Sequence, residues 1–135
     1  MHEPNFVILR LAVIHYVNSP AVSAAFYRDL LGKPPVEASP TFAMFALDSG
    51  VMLGLWARHT VEPAASAGGG GGELAFSVAD ADAVRHLHAE WRGRGLRIAQ
   101  APTAMDFGYT FVALDPDGHR LRVFAPTAPR PAKDR

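Results

Sequence analysis

The stretch FVALDPDGHRLRVF, Phe111–Phe124, decides how this chain is read. Two apolar runs flank Asp115-Pro116-Asp117-Gly118. Asp115 and Pro116 open a turn, and Asp117-Gly118 supplies the left-handed position that a tight hairpin needs. The stretch is strand, turn, strand. Working back from it, LRIAQ reads as one more strand, and ELAFSV, Glu73–Val78, as another. Between them lies a helix, capped by Asp80 or Asp82, with Val84, Leu87 and Trp91 on its apolar face and Gly93 and Gly95 at its end. The order is β-α-β-β-β.

The first half of the chain repeats that order. LRLAVIHYV, Leu9–Val17, is an apolar run rich in branched residues, short enough for a strand. Ser19 can cap the helix that follows, Pro20 suits its first turn, and Gly32 ends it, with Val22, Phe26 and Leu30 at four-residue spacing on one predicted apolar face. PVEAS reads as a short strand, and TFAMFAL and VMLGLWA as a hairpin joined by DSG. The expected layout is a first βαβββ module over residues 1–57, a Gly-rich linker over 58–72, a second module over 73–125 and a Pro-rich tail over 126–135. A phosphate-cradling role for the glycine run, Gly68–Gly72, is disfavoured, because no Lys-Ser/Thr follows and the next element is a strand. Tandem units of this kind predict an α+β fold in which cupped mixed sheets face one another around a cleft, with the helices outside.

Composition narrows the function. The chain has 135 residues, zero formal net charge and no basic stripe, so a nucleic-acid or anionic-membrane surface is not expected. It has no cysteine, which excludes thiolate catalysis, disulfides and Cys-ligated metal. The N-terminal segment has an acidic residue where a signal peptide wants positive charge, and Arg10 and His15 break its apolar run, so a soluble cytoplasmic protein is expected. The partner to look for is a small molecule or another protein.

The pieces YVNSPAVSAAFYRDLLG, GGELAFSVADADAV and FVALDPDGHRLRVF resemble the vicinal oxygen chelate superfamily, which includes glyoxalase I, extradiol dioxygenases and the bleomycin and fosfomycin resistance proteins. The resemblance covers about Asn5 to Phe124 and is specific for the fold, not for an activity. Within that superfamily, PNFVILRLAVIHYV, SPTFAMFALDSGVMLGLWAR and DFGYTFVALDPDGHRLRVF look most like the phenazine-antibiotic resistance proteins. That likeness implies a homodimer that binds a planar aromatic drug without changing it.

Metal-dependent members of the superfamily place one ligand on each of four strands, usually His or Glu. Carried onto this sequence, the resemblance puts Ala12, Gly54, Glu73 and Arg122 at those positions. Ala and Gly have no donor atom, and a guanidinium stays protonated, so one carboxylate remains. The six histidines offer no pair with a persuasive ligand spacing: His86 and His88 face different directions on a helix, and His15 is out of phase with Tyr16 on its strand. No metal and no cofactor is expected.

Period-two alternation then groups Met52 and Trp56 with Gly54, Arg120 and Phe124 with Arg122, and Ile14 and Tyr16 with Ala12. Gly54 is expected to leave a gap between Met52 and Trp56 that suits a flat ring. Spacing alone leaves Trp56 equally open to a core role, and the resemblance turns it towards stacking on a ligand. Trp91 reads as core. Either Phe42 and Met44 or Ala43 and Phe45 look into the cleft; the first pair is preferred because Met adapts to varied ligands. Phe107 or Tyr109, on the turn into the seventh strand, can close over a ligand or simply pack the hairpin. Glu73 and Arg122 share the cleft, either as a salt bridge or with Arg122 binding a ligand carboxylate. The expected function is sequestration of a planar aromatic, phenazine-like antibiotic or metabolite. The competing expectation is an isomerase or lyase with Glu73 as general base.

Overall fold

A computed structural model describes residues 10–127. The chain forms two compact units that part between Gly68 and Gly69. Each carries one four-stranded mixed sheet and one long helix, the α+β βαβββ arrangement expected from the repeat.

In the first unit, β1 (Ala12–Val17), α1 (Pro20–Leu31), β2 (Glu37–Ala38), β3 (Phe42–Ala46) and β4 (Met52–Ala57) give the sheet order β1-β4-β3-β2. The local signals act as anticipated. Ser19 Oγ accepts the N–H of Val22 at 3.2 Å, Pro20 starts the helix, and Gly32 closes it at φ 74° with its N–H on the Arg28 carbonyl. The buried stripe of α1 departs from the sequence reading. Pro20, Ser23 and Tyr27 are buried, whereas Val22 is 57 % exposed. Tyr27 is fully buried and meets Phe45 with ring centroids 6.4 Å apart. A hydroxyl-bearing stripe wins because the large Tyr27 ring buries more area than Val22 can offer.

In the second unit, β5 (Glu73–Ser77), α2 (Ala81–Gly93), β6 (Arg97–Met105), β7 (Gly108–Leu114) and β8 (Arg120–Pro126) give the order β5-β8-β7-β6. Asp80 is the residue that caps α2, its Oδ1 accepting the Ala83 N–H at 2.9 Å. Val84 and Trp91 are buried, and the Trp91 ring lies 5.4 Å from Phe111 and 6.4 Å from Phe76, edge-on to each. Trp91 is core.

The repeat extends to the register. Ala12 pairs with Met52 in parallel on the first sheet as Glu73 pairs with Arg120 on the second. The hairpin turns match as well: Gly50 N–H bonds the Leu47 carbonyl as Gly118 N–H bonds Asp115, and both glycines have positive φ. In the second turn the buried Asp115 adds a side-chain lock, its Oδ1 accepting from Asp117 N at 2.8 Å and His119 N at 2.9 Å.

The segment expected as a linker, residues 58–72, opens with a 3-10 turn, Arg58–Thr60, and Val61 beyond it is buried. At its far end Gly69 rests against the Asp117–His119 turn. A β-carbon there would lie 2.9 Å from Gly118 C and His119 N, closer than real side chains approach.

Candidate functional site

Each sheet has a face covered by its helix and a face turned away from it, and the candidate residues divide between the two. In the first unit α1 covers Ala43, Phe45, Leu53 and Leu55, all essentially fully buried. The opposite face follows from register. Tyr16 pairs with Trp56 and Trp56 with Phe42, making one aromatic row across three strands; Ile14, Gly54 and Met44 form the next row, and Ala12, Met52 and Ala46 the third. Phe42 and Met44 therefore share the face of Trp56, and Ala43 and Phe45 belong to the core. The Tyr16 and Trp56 rings meet edge-to-face at 6.2 Å. Trp56 is partly exposed, and Ile14 is 42 % exposed.

The expected gap over Gly54 is filled by the protein itself. A β-carbon at residue 54 would meet Phe42 Cζ at 3.1 Å, Phe42 Cε1 at 3.2 Å and Ile14 Cγ1 at 3.3 Å. Glycine lets the Phe42 ring lie down on the sheet, an aromatic side chain covering the backbone that a strand glycine leaves bare. The row is thus a low aromatic platform rather than a slot.

In the second unit α2 covers Phe76, Phe111, Leu121 and Val123. The face turned away carries Glu73, Arg120, Arg122, Phe124, Thr110 and Gln100. Arg122 is the centre of a polar network: Nε donates to Glu73 Oε1 at 2.5 Å, Nη2 to Glu73 Oε2 at 3.4 Å, Nη1 to Thr110 Oγ1 at 3.2 Å and to Gln100 Oε1 at 3.4 Å. Its side chain is only 14 % exposed, and its guanidinium lies 5.6 Å from the Phe107 ring centroid. Phe107 in turn meets Phe124 edge-on at 6.0 Å. Glu73 also pairs with Arg120, Nε to Oε2 at 3.3 Å.

Phe107 and Tyr109 lie on different sides of the second sheet. They are two residues apart, yet Phe107 alone of the two joins Arg122 and Phe124. Gly108 stands between them at φ 151°, and the side where a β-carbon would stand is pressed against the Ala125 carbonyl, so the alternation breaks there. Tyr109 turns to the helix side, where the Arg85 guanidinium of α2 lies 5.6 Å over its ring. Asp82 and then Tyr109 hold Arg85 above its ordinary pKa by hydrogen bonding.

Sequence reading missed Thr110 and Gln100 as partners of Arg122. Thr110 is fully buried on β7, and its Oγ1 also donates to the Val123 carbonyl at 2.8 Å. Gln100 reaches the network across a strand whose register shifts on both sides of it, between Ile98 and Gln100 and between Gln100 and Thr103. No local pattern announces a bulge of that kind.

The donor chemistry of the four positions singled out by resemblance does not suit a divalent ion. Ala12 and Gly54 offer no side-chain donor, Arg122 is a permanent cation, and the Glu73 carboxylate is held by two guanidiniums.

Residues 10–123 match the family described as the Glyoxalase/Bleomycin resistance protein/Dioxygenase superfamily. The chain belongs to that superfamily. Among curated proteins it is similar to the phenazine antibiotic resistance protein EhpR of Enterobacter agglomerans, 29 % identical over 111 residues, which is 80 % of this chain and 84 % of EhpR. Among solved structures, a solution NMR structure of a protein from Agrobacterium tumefaciens is 52 % identical and superposes with a TM-score of 0.83, covering 90 % of this chain and all of that one. A glyoxalase-related enzyme from Fulvimarina pelagi shares the fold at 21 % identity, TM-score 0.77, over 93 % of this chain and 94 % of the enzyme. The superfamily member described here thus has a relative named for antibiotic resistance, and its repeat, sheets and turns are those of the fold.

Proposed function

We propose that this superfamily member is a binding protein that sequesters a planar aromatic antibiotic or metabolite of the phenazine type and leaves it chemically intact. The observation that carries the reading is the Tyr16–Trp56–Phe42 row on the helix-free face of the first sheet. A partly exposed indole flanked by two rings offers a flat polarizable surface, and stacking on it requires no reactive group. The similarity to EhpR supports the ligand class. The donor-poor positions Ala12 and Gly54 support a mode of action without a metal, since affinity alone suffices for sequestration. Met44, in the next row and partly exposed, adds an adaptable contact, while Met52 one row further on is buried. We propose further that the protein works as a cytoplasmic homodimer, the second copy covering apolar side chains such as Ile14 that one chain leaves exposed.

The competing reading makes Glu73 a general base of an isomerase or lyase. A general base needs a carboxylate oxygen free to reach the substrate, and both oxygens of Glu73 are engaged by Arg122 and Arg120. Sequestration is the better fit.

The test is a calorimetric and tryptophan-fluorescence titration with phenazines, bleomycin and other flat aromatic compounds, with and without chelator, followed by mass analysis of the recovered ligand. Saturable binding with quenching, insensitive to chelator and with intact ligand, is the expected result. Binding lost on chelation, or a converted ligand, returns the protein to the enzymes of its fold.

A further inference from the structure

We propose that Gly69–Gly72 is a movable strap, closed against the Asp115–His119 turn and opening on its own glycines, which gates the cavity on the helix-free face of the second sheet. The device lies wholly within the second unit and is independent of the aromatic row on the first sheet. The cavity has a volume of about 540 Å³, in the size range of small-molecule sites, and Gly70, Gln100, Met105, Leu114 and Gly118 border it. Gly70 belongs to the strap and Gly118 to the turn. Parting the two therefore widens the mouth of the cavity.

The glycine run, Gly68–Gly72, holds more glycine than the closed form needs. Packing demands it at residue 69, where a β-carbon would lie 2.9 Å from Gly118 C and His119 N and 3.0 Å from Asp117 O. Backbone conformation demands it at Gly70, whose φ is 111°. Neither reason applies to Gly71 and Gly72: a β-carbon on either would stand in open space, and neither has a positive φ. Alanine would fit both positions of the closed strap, so glycine there supplies chain freedom that only an open strap uses. The turn opposite is fixed, since Asp115 Oδ1 accepts from Asp117 N at 2.8 Å and His119 N at 2.9 Å, and Gly118 N donates to the Asp115 carbonyl at 3.0 Å. Among the described residues no backbone–backbone hydrogen bond joins the strap to that turn, so packing holds the closed form. One side of the contact is rigid and the other is free to leave.

The experiment is relaxation-dispersion NMR on the full chain without ligand. In the wild type the amides of Gly69, Gly70, Gly118 and His119 should share one exchange process, in the microsecond-to-millisecond range of lid motions, with the Leu114 methyls and the Gln100 side-chain amide of the cavity wall. Replacing Gly71 and Gly72 together, as Gly71→Ala with Gly72→Ala, should lower the open population by about twofold to fivefold for each substitution, because alanine restricts the open chain and fits the closed one. Gly69→Ala should act in the opposite sense and move the Gly118 and His119 resonances towards their open-state shifts, since its β-carbon cannot sit against the turn. The double variant carries the test should Gly69→Ala fail to fold. Absence of exchange in the wild type, an open population unchanged in the double variant, or a strap that exchanges while Leu114 and Gln100 do not would each overturn the gate.

Discussion

The Phe42 ring lies on Gly54 of the neighbouring strand, its Cζ 3.1 Å from where a β-carbon of residue 54 would sit. This contact makes the helix-free face of the first sheet a flat aromatic surface, and it sets the cost of any side chain at residue 54. Gly54→Ala should destabilise the protein by about 1 kcal/mol through overpacking. In a Phe42→Ala background the same change should instead stabilise by roughly 0.5 kcal/mol, because an ordinary strand position gains from the lower entropy of the unfolded chain. Urea unfolding of the four proteins of this cycle gives the answer; additive effects would mean that the ring and the glycine are not coupled.

Trp56→Ala should weaken binding of a flat aromatic ligand by about 1–3 kcal/mol, a tenfold to hundredfold rise in Kd, with circular dichroism unchanged. Trp91→Ala should do the reverse, costing about 3–5 kcal/mol of stability because it empties the core between Phe76 and Phe111. A folded Trp56→Ala protein with undiminished affinity would remove the aromatic row from the site.

Removing one partner of the Glu73–Arg122 pair leaves the other charge poorly hydrated. Glu73→Ala should cost about 1–3 kcal/mol, less than for a fully buried pair because Glu73 is 30 % exposed. Replacing both residues, as Glu73→Gln with Arg122→Met, should recover most of the loss. Thermal denaturation of Glu73→Gln, Arg122→Met and the double variant tests this coupling, and a double variant as destabilised as the sum of the two singles would contradict it.

Gly108→Ala should prevent stable folding of the second unit, at a cost above about 3 kcal/mol, since the added methyl would overlap the Ala125 carbonyl and φ is 151°. Amide exchange along β7 and β8 would locate the damage. Protection equal to wild type would show that the turn can yield.

Lys33 Nζ donates to Asp48 Oδ1 at 2.8 Å and to the Ala46 carbonyl at 3.0 Å. The hydrogen bond and the charge of Lys33 hold the Asp48 carboxyl below its ordinary value of 3.8. A depressed folded-state pKa gives stability that is present above the unfolded value and lost as the pH falls through the folded one. Lys33→Met should therefore lower stability at neutral pH while flattening its fall in the acid range below the unfolded value, read from denaturation midpoints across that range. An unchanged acid limb would show that the exposed pair contributes nothing measurable.

Punctuation was legible in the sequence because its causes are local. Ser19, Gly32 and the Asp-Pro-Asp-Gly turn each act on backbone groups within a few residues, so their identity is enough, while the choice of Asp80 over Asp82 as the second cap is made by the structure. The duplicated βαβββ order was legible for the same reason, as was the alternation that puts Trp56 with Gly54 and Met52. Faces and partners were a different matter. The buried stripe of α1 runs through Ser23 and Tyr27 because the sheet beneath presents Phe45 to that side; Val22 has no such neighbour. Tyr109 and Phe107 part company because Gly108 breaks the alternation against a strand far along the chain. Arg122 finds Gln100 through a strand that slips register twice. Sequence determined where the first helix is capped, where the hairpins turn and that the order repeats, although the strand read as LRIAQ runs on to Met105. Tertiary structure decided which side each side chain faces and which charges are already spent, because those depend on register and packing between segments that only the folded chain brings together.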